Sequence, residues 1–247
     1  MTLIKTAPLT VTAIRARLRR HADPRIADSS RRFFKTGPGE YGHGDRFLGI
    51  RVPTLRKVAR ELRAAPVGTT LALLKSPLHE ERALALLILV NRYERGTAAE
   101  QKRIYEQYLT HVRKHVNNWD LVDSSAPYIV GAHLLERDRG SLVELARSPN
   151  LWERRVAIVA TFWFIRRGSF DDTLAIAELL LDDREDLIHK ATGWMLREVG
   201  NRDRAAAERF LRRHCLSMPR TMLRYAIEKL PPRTRRRYLT GSIGEPR

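Results

Sequence analysis

At 247 residues the chain is long enough for one large hydrophobic core or two small ones. Its 46 Lys and Arg against 28 Asp and Glu leave a net charge of +18, which points first to nucleic acid as partner and second to an acidic membrane surface. The single cysteine, Cys215, excludes an intramolecular disulfide and any cysteine-based zinc site.

Residues 1–10 hold too few apolar residues for a signal peptide, and the apolar runs 83–90 and 156–165 are too short to span a membrane. A soluble, cytoplasmic, monomeric protein is expected. Its basic residues are spread along the chain, which favours a folded basic surface over a disordered arm.

Taken in order, Val11, Ile14 and Leu18 recur at helical spacing in 10–21. Asp23-Pro24 opens a second segment, 25–35, ending in Phe33-Phe34. A glycine-rich loop, 36–45, follows. Gly37, Gly39 and Gly42 match the letter of a dinucleotide fingerprint, but no strand precedes them and no helix opens after them. A loop that is flexible or touches a ligand is expected instead. After the short apolar stretch 47–52, Pro53 suits the first turn of a helix to about Arg63, with Leu55, Val58, Ala59 and Leu62 as its buried stripe.

The spacing then predicts helices over 70–75, 78–92, 98–115, 119–135, 141–147, 150–167, 171–181, 185–199, 202–215 and 219–230, with no strand of period two. His111 and His115 lie four apart without the Glu a zinc protease requires, so they read as a polar helix face and not as metal ligands. Trp152 reads as a packing residue, Trp163 as core, and Arg233 to Arg237 as an exposed basic patch.

Similar tetrads begin at Glu81, Arg154, His189 and Leu223, and Asp123-Ser124-Ser125-Ala126 fits the same series. Arg82, Asp123, Arg155, Lys190 and Arg224 then stand 41, 32, 35 and 34 residues apart. That is the period of a helix-pair solenoid of the HEAT class. The expected fold is all-α, a superhelical solenoid of paired antiparallel helices forming a single domain over 1–247. Helices in 10–65 cap the stack, the repeats run from about 69 to 231, and 232–247 form a basic tail. In such stacks the second helix of each pair lines the concave face. The series therefore becomes a row of positive charge suited to a phosphate backbone. The same cations could instead complement the acids of neighbouring repeats.

The exception in the row is Asp123, one helical turn after Trp119. Either Asp120 or Asp123 could simply cap a helix or pair with an arginine. A carboxylate beside an indole in a basic groove also suits a cationic sugar intermediate. A base alkylated at a ring nitrogen is already cationic and leaves as a neutral molecule, so one carboxylate and a placed water could suffice, with a Trp face to hold the cation.

Asn118-Trp119-Asp120-Leu121-Val122-Asp123, Leu151-Trp152-Glu153-Arg154-Arg155-Val156-Ala157 and Lys190-Ala191-Thr192-Gly193-Trp194-Met195-Leu196-Arg197-Glu198, with Phe47-Leu48-Gly49-Ile50 before Pro53, resemble the AlkD family of DNA alkylation repair glycosylases. The similarity runs from about Arg25 to Leu230. The resemblance implies a HEAT-like fold that acts on duplex DNA and hydrolyses the N-glycosidic bond of cationic N3- and N7-alkylated purines. It implies no metal or other cofactor and no flipping of the damaged base. By motif, Trp119 and Trp194 would contact the lesion's deoxyribose, and Asp123 would stabilise the oxocarbenium and orient the water. Arg155 would hold a phosphate and Arg197 another backbone position. The family's lesion-side Tyr is replaced by Phe33 or Phe34, and loop 37–45 is longer than in the best-characterised members. The protein would then sit on the nucleoid through DNA. The competing readings are a non-catalytic HEAT-repeat binder of DNA shape or damage, and a protein-interaction scaffold.

Overall fold

In a computed structural model, residues 9–243 are described. Most of the stretch judged for a signal peptide, and the last four residues of the basic tail, lie outside the described residues. The fold is all-α. Among the described residues the only β-type pairing is an isolated bridge, Arg46 to Leu78. No helix among them is long and apolar enough to cross a membrane. The chain divides into two compact units, Met1–Ser125 and Ala126–Arg247.

The first unit holds α1 (Val11–Arg19), α2 (Pro24–Phe33), α3 (Val52–Glu61), α4 (Val67–Leu74), α5 (His79–Arg95), α6 (Ala98–His115) and α7 (Trp119–Asp123). Asp23 caps α2, Pro24 and Pro53 stand in first turns, and Thr97 with Glu100 forms a capping box on α6. Helix α5 is the centre of this unit, packed by α3, α4, α6 and α7. It is buried on most of its circumference, including Leu84, Ile88 and Leu89, as expected of a helix enclosed by neighbours. The stripe Leu55, Val58, Ala59 and Leu62 is buried as expected. His111 departs from its expected polar face. It is buried, and Nδ1 bonds the Gln107 carbonyl at 2.7 Å.

The second unit holds a π-helical turn (Pro127–Gly131), α8 (Ala132–Leu134), α9 (Gly140–Ala146), α10 (Leu151–Ala160), α11 (Phe162–Ile165), α12 (Asp171–Leu179), α13 (Asp186–Gly200), α14 (Arg204–His214), α15 (Arg220–Ala226) and α16 (Pro232–Leu239). Helix α10 packs on α13, and α13 on α15, while α9, α12 and α14 form the outer partners. This is the helix-pair repeat, and it places Arg155, Lys190 and Arg224 on successive stacked helices. The α13–α15 contact is close because Gly193 has no side chain. A Cβ there would lie 2.4 Å from the Met222 carbonyl oxygen and 2.5 Å from Tyr225 Cβ. Trp152 is buried as a packing residue, but Trp163 is only half-buried, with Arg167 stacked 3.8 Å above its ring.

The expected helix over 119–135 is broken. Pro127 has no N–H for the carbonyl four residues earlier, so α7 stops at Asp123 and the chain resumes in a π-helical turn. Thr161 likewise separates α10 from α11, its hydroxyl turned back onto the Ile158 carbonyl. Helix α16, anchored by buried Tyr238, lies in the stretch expected as a basic tail.

Candidate nucleic-acid interface and lesion site

Asn118 caps α7, its Oδ1 accepting from the Trp119 N–H at 2.8 Å. Trp119 and Asp123 then stand at the two ends of a single helical turn, both half-buried. Beneath them the turn is fixed by apolar Leu121 and Val122 and by the Ser125 hydroxyl, which donates to the Leu121 carbonyl at 2.5 Å. The Tyr108 hydroxyl meets Ser125 at 2.9 Å. Burial pushes the Tyr108 phenol well above its ordinary range, and the Asp123 charge adds to that push.

Aromatic rings from the N-terminal helices wall this turn. Phe34 stacks on Trp119 with ring centroids 5.5 Å apart, and on Phe47 at 5.2 Å. Phe33 meets Trp119 edge-on at 5.8 Å and is 64% exposed. Both residues of the Phe33-Phe34 pair thus flank the indole, Phe33 outward and Phe34 inward. Two residues after Phe47, the φ of +81° at Gly49 and its near-contact with the Asp23 carbonyl admit no side chain. Buried Glu80 accepts from the N–H groups of Leu48, Gly49 and Ile50 at 2.9, 2.7 and 3.2 Å.

Asp120 takes the pairing role left open for it, though its partner is a histidine. His79 Nε2 lies 2.8 Å from Asp120 and Nδ1 lies 3.1 Å from Asp45. Burial disfavours the imidazolium, yet the charges and bonds of Asp120 and then Asp45 raise its pKa to about 9. Arg82 binds Asp45 at 2.5 Å and the Ser76 carbonyl at 3.0 Å, and Asn118 Nδ2 donates to Asp45 at 3.1 Å. Against its burial, Asp45 is held below the usual carboxylate range by His79, Arg82 and Asn118. The network ties the end of the glycine-rich loop and the start of α5 to the cap of α7.

Arg82, expected as a phosphate contact, lies in this network. Its side chain is 4% exposed and its guanidinium is committed to Asp45 and Ser76. Arg155 is also buried, and its Nη1 donates to the Leu187 carbonyl at 2.6 Å, linking α10 to α13. Lys190 is partly exposed and pairs with Asp186 at 2.7 Å, Arg197 pairs with Glu228, and Arg224 is exposed. Trp194 is half-buried, 5.8 Å from Phe162, and the Arg166 and Arg202 guanidinium groups lie near the Phe162 ring.

Among the described residues no group of three or more His, Cys, Asp or Glu side chains converges on a point that could hold a metal. Asp45 and Asp120 take opposite nitrogens of His79 and so diverge. His79, Asp45 and Phe47 belong to the site but were not singled out from sequence for it. The His79 partners lie 34 and 41 residues away, beyond any local pattern.

The helix-pair repeats and the Trp119 turn define an all-α repeat protein with an aromatic-walled turn in a basic chain. The family model for "DNA alkylation repair enzyme" matches residues 14–230, and the chain belongs to that family. Its role lies in the repair of alkylated DNA. Among solved structures, one described as a predicted DNA alkylation repair enzyme from Enterococcus faecalis superposes with a TM-score of 0.65 at 17% identity, over 86% of this chain and 98% of that one. At that identity the likeness shows the fold. No curated protein matches the chain.

Proposed function

We propose that the protein is a DNA glycosylase that hydrolyses the N-glycosidic bond of cationic N3- and N7-alkylated purines in duplex DNA, with no base flipping and no metal. The reading rests on the family membership and on one arrangement: a half-exposed carboxylate one turn from an indole, in a basic chain, walled by Phe33 and Phe34. The bond from C1′ to the purine nitrogen breaks with its electron pair going to the base, which leaves neutral. Asp123 stabilises the oxocarbenium left on the sugar. A water on the carboxylate attacks C1′ and gives its proton to Asp123 and then to solvent, leaving an abasic site. Trp119 contributes a π face to the cationic sugar. Trp194 offers a second aromatic face to the duplex. Arg224, Lys190 and Arg197 contribute backbone charge.

The test is single-turnover release of 7-methylguanine from a duplex, for wild type and Asp123→Asn. Removal of one electrostatic stabiliser is expected to slow release by roughly 100- to 1000-fold. Binding should hold or tighten, since a negative charge leaves a phosphate-facing surface. Near-normal release by a folded Asp123→Asn protein would overturn the catalytic assignment and favour a non-catalytic binder.

A further inference from the structure

The glycine-rich loop also walls a cavity of about 300 Å³ within the first unit, which Lys75, Lys114 and His115 help to line. We propose that this cavity is a phosphate subsite, filled by one backbone phosphate of the bound duplex; the choice of duplex as source rests on the glycosylase reading above.

Several features point to an anion. Lys75 and Lys114 are exposed, so their charges are available, and His43 joins them from the loop. Arg82 forms part of the wall, but Asp45 neutralises it. The α4 and α6 C-termini supply opposing partial charges of about half a unit each. Two full lysine charges against roughly one unit of dipole leave the cavity net positive before either histidine is counted. The field is felt by His115. Burial first, then His111, Lys75, Arg82 and Lys114, hold its pKa below the ordinary value. The volume admits a tetrahedral anion with several waters, each of about 30 Å³. The chain leaves the cavity wall at Asn117 and reaches Trp119 two residues later, so a phosphate held here would sit close along the chain to the proposed lesion contact.

The experiment has two arms, neither of which uses excision. First, the salt dependence of binding to an undamaged duplex is compared for Lys75→Ala/Lys114→Ala and for Lys57→Ala/Lys102→Ala. The second pair lies on exposed surface outside the cavity wall and carries the same charge change. Neutralising one phosphate fewer should lower the log–log slope by about 0.9, and the control pair should change it by much less. Second, the His115 ring of wild-type protein is followed by NMR during titration with inorganic phosphate, which should raise its pKa. A slope change in the cavity pair assigns the site to the DNA backbone. A His115 response without a slope change keeps the phosphate chemistry and assigns it to a free phosphate. Equal slopes for the two pairs, with a silent His115, overturn the proposal. Failure of excision in a protein that passes these tests would count against the glycosylase reading alone.

Discussion

His79 is positively charged at neutral pH although it is buried, because Asp120 and Asp45 each hold one of its ring nitrogens. Its folded pKa of about 9 lies above the ordinary 6.5, so the stability it contributes is fully present below about 6.5 and is lost as pH rises through about 9. Asp45, shifted down, contributes above its ordinary 3.8 and loses its contribution as pH falls. His79→Asn should therefore cost a few kcal/mol at pH 6, and the difference in melting temperature from wild type should shrink between pH 8 and 10. A gap that stays constant over that range would mean a neutral His79. Little of this was legible in the sequence. Asp120 stood out only as a capping or pairing residue, and nothing near His79 marks it as a partner. By contrast, Trp119 and Asp123 stood out because they break the composition around them, and because a four-residue spacing needs only local helix geometry.

Among the elements, periodicity was informative wherever a helix has an apolar stripe. Thus α3 and α6 lie close to their expected spans. The pattern misled in three places. Pro127 and Thr161 divide segments whose apolar pattern runs on across the break. Helix α16 is half arginine and buries little besides Tyr238, so it carries no stripe to read. The repeat period was readable because each stacked helix must present similar residues to its neighbour, and Gly193 shows how closely α13 and α15 meet. Gly193→Ala forces a Cβ into the Met222 backbone and should cost about 2–3 kcal/mol, or roughly 5–10 °C in melting temperature. Gly68→Ala is the contrasting case. It lies within α4 with open space around its Cβ position, so it should stabilise by up to about 1 kcal/mol. Matching losses at both positions would argue against a specific close contact at α13–α15.

For the molecule as a whole, the net charge of +18 divides into cations that hold the fold and cations that face solvent. Arg82 and Arg155 belong to the first group, so Arg155→Ala should lower the melting temperature. Helix α16 belongs to the second. Arg233, Arg236 and Arg237 are exposed there, while Tyr238 anchors the helix. If α16 adds sequence-independent affinity, replacing all three by Ala should weaken binding to damaged and undamaged duplexes equally, because phosphate contacts carry no base information. The log–log salt slope should fall by about 0.9 for each phosphate that is no longer neutralised. Single-turnover release of 7-methylguanine at saturating protein should be unchanged, since none of the three lies on the Trp119 turn. The three measurements together decide the role of this helix. A weakening confined to the damaged duplex would place α16 at the lesion, and unchanged binding at low salt would remove it from the DNA-facing surface.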